Sequence, residues 1–231
     1  MNLAFGGGIG EYEAMKVFLD ERPLSVQRPT LAAALAAGRS AADDLHRVIV
    51  EAKLDGVAIP DAELEQPTER DLGQAELRFI TATPALFVST TLHEIADALD
   101  GARATQRAAA RAFQRGELNE AFSHLSSSLG VWDAVRKGVE QGPALLNRRL
   151  ADLRVGAAAS GGGAAGVPLA EHLDQLATRL SGLRTALAAQ DWSTLADELE
   201  GEFEPAAARW SAILRELATQ LSISPGTEGR R

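Results

Sequence analysis

The sequence predicts an α+β protein, a small sheet domain followed by an antiparallel helical bundle made of two hairpins. Three observations carry this. Apolar residues alternate with a period of two over much of 15–84, the period lengthens to three and four after Pro84, and a Gly/Ala-rich stretch at 156–166 divides the helical part in two. The strongest helical pattern spans residues 191–217, where Trp192, Leu195, Leu199, Phe203, Ala206, Trp210, Ile213 and Leu217 form one apolar stripe. Two of the three tryptophans lie on it, so the C-terminal half is expected to pack around this helix.

Residues 1–14, with Gly6, Gly7, Gly8 and Gly10, read as a flexible extension, and the first clear pattern begins at Met15, a candidate start. These glycines lack the strand, the helix and the Gly-Lys-Ser/Thr ending that a phosphate loop requires. Val17 and Leu19 alternate with Lys16, Phe18 and Asp20. A turn at Glu21-Arg22-Pro23 then leads to a second short strand, Leu24 to Val26, and the two make a hairpin. Pro29 and Thr30 open a helix whose buried face is Leu31, Leu35, Ala42 and Leu45, with Gly38 allowing a close approach to a sheet below. A strand from Val48 to Leu54, a turn at Asp55-Gly56, and a return through Val57, Ala58 and Ile59 follow, ended by Pro60. An acidic loop with Asp61, Glu63, Glu65, Glu69 and Asp71 precedes a last strand, Leu77 to Ala82.

This order of elements, with the piece VIVEAKLDGVAIP, resembles the β-grasp or ubiquitin-like fold over residues 15–84. The resemblance implies an open sheet that offers an edge or an apolar face to a protein partner. Carrier members of that fold act through an exposed C-terminal Gly-Gly. Here the last strand continues into Thr83-Pro84 and the sequence ends Gly229-Arg230-Arg231, so carrier chemistry does not transfer.

After Pro84, Thr91-Leu92-His93-Glu94 has the form of a capping box and predicts a helix start, with Gly116 as its C-terminal cap. A second helix carries Leu118, Phe122, Leu125, Leu129, Trp132, Val135 and Val139. Gly138, Gly142 and Pro143 are expected to break or bend it, before a short continuation through Leu146, Leu150 and Leu153. The first hairpin is thus 85–155, the flexible linker 156–166, the second hairpin 167–221 and the disordered tail 222–231. Pro168 suits the first turn of the third helix, and Pro205 predicts a kink or a new helix start in the fourth. At an offset of 74 residues, Leu99, Phe113, Leu118, Leu125 and Leu129 fall on Leu173, Leu187, Trp192, Leu199 and Phe203, as two copies of one hairpin would place them.

Composition excludes more chemistry than it suggests. With no cysteine, disulfides, thiolate zinc sites and cysteine nucleophiles are excluded. Without a long apolar run or a signal-like start, the expected location is cytoplasmic, away from membranes. A net charge of −9 repels phosphate backbones, so nucleic acid is not an expected partner. Residues 1–90 hold 14 Asp and Glu against 8 Lys and Arg, which makes the N-terminal part the more acidic.

His46, His93, His124 and His172 show no local metal-pair spacing, and no cofactor is implied. The carboxylates Asp197, Glu198, Glu200, Glu202 and Glu204 read as a solvated helix flank. Arg103, Arg107, Arg111 and Arg115 recur every fourth residue as a basic ridge, suited either to an acidic partner or to neighbouring acids such as Glu198 and Glu202. In the sheet domain, Leu24 and Val26 are the candidate edge, and Leu54, Val57 and Ile59 the candidate face, for a protein partner. The expected function is therefore non-catalytic, that of an interaction or adaptor protein. Two alternatives stand beside it: an enzyme or a small-molecule or metal-binding protein with a site in the bundle or between the domains, and a homo-oligomer paired along 192–217.

Overall fold

The computed structural model describes residues 15–156 and 166–222. The expected extension at 1–14, the body of the linker and the tail beyond Ser222 lie outside the described residues, and with them the question of a start at Met15. The chain divides after Pro84 into two units, the first with a five-stranded mixed sheet and the second helical.

In the first unit, β1 (Lys16–Leu19) and β2 (Arg22–Leu24) form a hairpin in which Leu19 pairs with Arg22. The turn is therefore Asp20-Glu21, with φ of 46° and 68°, and not the expected Glu21-Arg22-Pro23. Two positive φ values match the twist of a two-residue hairpin turn. Pro23 sits inside the outermost strand, where its missing N–H costs no ladder bond. α1 (Leu31–Asp44) starts at Thr30, whose hydroxyl accepts from the Ala33 N–H at 3.2 Å. Leu31, Ala34, Leu35, Gly38 and Ala42 form its buried face. Leu45 was expected there but is 47% exposed, because the helix ends at Asp44.

β3 (Val48–Leu54) and β4 (Val57–Ala58) turn through Asp55-Gly56, both at positive φ, as expected. The acidic loop contains a short helix, α2 (Asp61–Glu65), before β5 (Glu76–Ala82). The sheet order is β2-β1-β5-β3-β4, with β1 and β5 parallel and the other pairs antiparallel. This arrangement is compatible with a β-grasp-like start. β5 fills the centre because Leu77, Phe79 and Thr81 all turn inward and are buried beneath α1.

In the second unit, α3 (Pro84–Arg115) begins seven residues before the expected capping box. Proline is well placed at the first position of a helix, and Thr91 to Glu94 lie within it. Gly116, at φ 74°, ends α3, and the Glu117 N–H returns to the Ala112 carbonyl at 2.9 Å. α4 (Leu118–Leu145) continues through Gly138, Gly142 and Pro143, where a break or bend was expected. The glycines are explained by packing, since a Cβ at Gly138 would stand 2.7 Å from Ile95 Cδ1 and one at Gly142 3.0 Å from Val88 Cγ1. The expected helical continuation is only a 3-10 turn, Leu150–Asp152, followed by β6 (Arg154–Val155) paired with β7 (Val167–Pro168).

α5 (Leu169–Ala188) starts just after Pro168, which precedes the helix and does not enter its first turn. Asp191 caps α6 (Trp192–Glu198), its carboxylate accepting from the Thr194 N–H at 3.0 Å. A π-helical turn, Leu199–Phe203, joins α6 to α7 (Glu204–Ser222). Pro205 has no N–H to offer the carbonyl one turn back, and the irregularity expected there is this π turn. Trp132, Trp210, Phe203, Leu195 and Leu199 are fully buried in the core of this unit. Among the described residues, no helix is long and apolar enough to cross a membrane.

The α1–sheet contact yields a direct test. A Cβ at Gly38 would stand 2.6 Å from Phe79 Cε2, and Phe79 is itself fully buried. Overpacking costs about 1–3 kcal/mol, more than the roughly 1 kcal/mol that alanine gains over glycine in helix propensity. Gly38→Ala is therefore expected to lower the urea midpoint of the first unit; a raised midpoint would show that α1 lifts off the sheet at little cost.

Candidate functional site

Each unit carries side chains that the sequence nominated, and the folding of each strand and helix decides which of them reach solvent. In the first unit Leu24 belongs to edge strand β2 and pairs across to Val17, yet its side chain packs partly on the core. Val26 lies beyond the end of β2 and also packs on the core. Leu54 pairs with Leu77 and turns to the same side, and Ile59 is buried at 9% exposure. Of the nominated face, only Val57 is open, at 71%. The residues therefore do not make one surface.

The opposite side of the sheet does form a surface, and it was not nominated. On β5, Arg78 and Ile80 alternate with the buried Leu77 and Phe79 and face away from α1. Phe18 of β1 pairs with Arg78, whose guanidinium stacks over the Phe18 ring at 4.9 Å from its centroid. Val50 stands in a bulge of β3, 42% exposed, and Ile80 is 39% exposed. The charges among these residues pair with each other, Glu51 with Lys53 at 3.0 Å and Glu76 with Arg78 at 2.5 Å. Alternation along Leu77 to Ala82 was the sequence signal for this face, because whichever set is not in the core must be outside.

At the end of the β1–β2 hairpin, a polar network closes a cavity of about 320 Å³ lined by Leu19, Asp20, Arg22, Leu45 and Arg47. The Asp20 carboxylate accepts from the Thr81 N–H at 2.8 Å and from its hydroxyl, while Arg47 donates to the Thr81 carbonyl at 2.7 Å. Burial raises the Asp20 pKa, but the two Thr81 hydrogen bonds and the charges of Arg47 and Arg22 outweigh it and hold the carboxyl below its ordinary range.

In the second unit, the arginine ridge is divided among three environments. Arg103 and Arg107 both donate to one oxygen of Glu204, each at 2.9 Å. Arg111 is exposed with no ion pair among the described residues, and Arg115 pairs with Glu117. The acidic partner is thus Glu204 at the start of α7. Glu202 instead pairs with Arg179, at 3.4 Å, and Glu198 stands against Gly182. Further along the same two helices, Arg215 bridges Asp97 at 2.6 Å and Asp100 at 2.9 Å, and Ser211 donates to Asp100 at 3.0 Å. Of the two readings of the ridge, a partner site or pairing with a neighbouring helix, Arg103 and Arg107 follow the second, within an α3–α7 clamp.

Between α3 and α4 runs an apolar groove of about 350 Å³, lined by Phe87, Val88, Leu92, Ile95, Gly138 and Leu145 among others. Lys137 is its only charged lining residue, and its ammonium pairs with Asp133 at 2.7 Å. The four-residue spacing of Gly138 and Gly142 was the available signal, since it puts both on one helix face.

The histidines are scattered. His93 Nδ1 contacts the Ser89 carbonyl at 2.8 Å, His124 lies 3.5 Å from Glu120, and His172 packs edge-on to Trp210. Burial, with Arg209 nearby, lowers the His172 pKa. Among the described residues, no three His, Asp or Glu side chains are grouped to hold a metal ion. No family model, curated protein or solved structure matches the chain.

The clamp has a pH signature. The Arg215 hydrogen bond, opposed by partial burial and aided by Ser211, holds the Asp100 pKa below its ordinary value. A carboxyl lowered on folding stabilises the protein above its unfolded pKa of about 3.9, and this stabilisation disappears as pH falls through the folded value. Asp100→Asn should therefore reduce stability near neutral pH and flatten the acid limb of the stability profile below about pH 4. Parallel profiles for the two proteins would count against the clamp.

Proposed function

We propose that the chain is a binding protein without catalytic activity, a cytoplasmic adaptor whose β-grasp-like N-terminal domain meets a protein partner. The observation that carries this reading is the bare side of the five-stranded sheet. α1 covers one face only, and the other shows Phe18, Val50 and Ile80 beside two ion pairs, Glu51–Lys53 and Glu76–Arg78. Apolar residues amid satisfied charges suit a protein surface better than a small polar substrate. The second unit is read as an antiparallel four-helix bundle of two hairpins, α3–α4 and α5–α7, related by the 74-residue offset in their sequences. The close α3–α4 contacts and the α3–α7 ion pairs support that reading.

A second reading, a small-molecule binding protein, is favoured by one observation, the apolar groove between α3 and α4. Its volume of about 350 Å³ falls at the small end of ligand pockets, and its lining is almost wholly apolar.

The test for the adaptor is affinity capture from the native host with the intact protein and with Ile80→Glu. The substitution places a charge on the bare face without entering the core. A partner held by the intact protein and lost by the variant, with unchanged circular dichroism, is the expected result. A partner held equally by both would remove the sheet face from the proposal.

A further inference from the structure

Gln106 on α3 is fully buried, and neither its amide nitrogen nor its amide oxygen has a hydrogen-bond partner. The indole N–H of Trp132 on α4 is also buried and unpartnered. The contacts between helices place these groups at neighbouring heights on α3 and α4. Phe113 packs on Phe122, and Ile95 packs against Gly138, so α3 and α4 run in opposite directions, with Gln106 at the height of Ser128, one turn from Trp132. Helical side chains lean toward the N-terminus of their own helix. On antiparallel helices Gln106 and Trp132 therefore lean toward each other. Arg103 and Arg107 both reach Glu204, which brings the start of α7 to the same height, and Phe203 meets Trp132 edge-on at 5.6 Å. Phe203 is the last residue of the π turn Leu199–Phe203, so that turn ends at the Trp132 ring.

A buried glutamine amide has two donors and two acceptor lone pairs, and the indole has one donor. Leaving such groups unpaired is costly, and an apolar side chain of similar shape would avoid the cost. A partner small enough for a packed helical core that accepts from the indole and donates to the amide oxygen serves two of these three atoms. We propose that Gln106 and Trp132 form an internal water site. The water accepts from Trp132 Nε1–H and donates to Gln106 Oε1, and Ser128, a buried residue at the same height, is its third partner in this proposal. About three protein contacts are usual for a buried water. The site joins α3 to α4 beside the π turn, which makes it a polar pin for their register in an otherwise apolar core.

The test is a water–NOE experiment on the full chain with labelled indole nitrogens. Trp132→Phe assigns one of the three indole signals. A cross-peak between water and the Trp132 indole proton, with the sign of a long-lived water, is expected. It should be lost in Gln106→Leu while the Trp192 and Trp210 signals stay in place. Gln106→Met serves as the second variant if the leucine protein does not fold. The proposal is overturned if the native protein gives no such cross-peak, or if the cross-peak survives both substitutions. It is also overturned if the Trp132 signal moves on substitution with no water peak in the native protein, which would mean direct amide–indole pairing.

Discussion

α3 is shared between two neighbours, α4 and α7, and the helical unit is built on this division of one helix. Toward α4 the contact is steric: Val88 and Ile95 occupy the space that side chains at Gly142 and Gly138 would take. Toward α7 it is electrostatic: Asp97 and Asp100 hold Arg215, and Arg103 and Arg107 hold Glu204. The two contacts constrain different things. Close packing fixes the distance between axes, while the ion pairs, spaced along the helix, fix the register of α7 on α3. A shift of α7 by one residue would rotate its apolar stripe by about 100° and separate every one of these pairs at once.

The same division explains the π turn. α6 and α7 must carry one continuous apolar stripe from Trp192 to Leu217, yet Pro205 removes a backbone donor in the middle of it. One extra residue in the turn Leu199–Phe203 takes up the mismatch and keeps Phe203 on Trp132 and Trp210 in the core. Glu204, immediately after the turn, is then placed to receive two arginines. An exposed ion pair contributes little by itself, but a carboxylate only 20% exposed and shared by two guanidinium groups is better sheltered from solvent.

Much of this was legible in the sequence, for physical reasons that can be traced residue by residue. The alternation of Val17 and Leu19, the Asp55-Gly56 turn, the helix start at Pro29-Thr30, the Gly38 approach and the Gly116 stop each depend on local chemistry, and all five appear in the fold. What failed depended on residues distant in the chain. Thr91-x-x-Glu94 has the form of a cap, but the helix already runs through it from Pro84. Gly138 and Gly142 read as breaks until Ile95 and Val88 are seen against them. Leu54 and Ile59 read as a surface because a strand pattern does not state which of its sides a helix will cover. Pairing of the α3 arginines with the acidic flank was legible, but Glu198 and Glu202 were named where Glu204 is the acid reached, because the π turn that sets the phase of α7 does not show in the sequence.

Charge pairing also separates the surfaces that remain. With Arg103, Arg107, Arg115 and Arg215 engaged within the helical unit, the basic ridge offers little free positive charge, and Arg111 alone does not make an anion site. On the bare sheet face Lys53 and Arg78 are likewise engaged, by Glu51 and Glu76. A partner of the kind proposed would meet largely neutralised charges around Phe18, Val50 and Ile80, so its attraction would come mainly from apolar area. Such an association would change only modestly with salt, because Lys53 and Arg78 are paired and isolated charge such as Lys16 is all that is left to match. Contact along Arg111 and the acidic flank would weaken steeply as salt is raised. The two modes differ in kind, and the paired charges of the sheet face favour the first for the proposed partner.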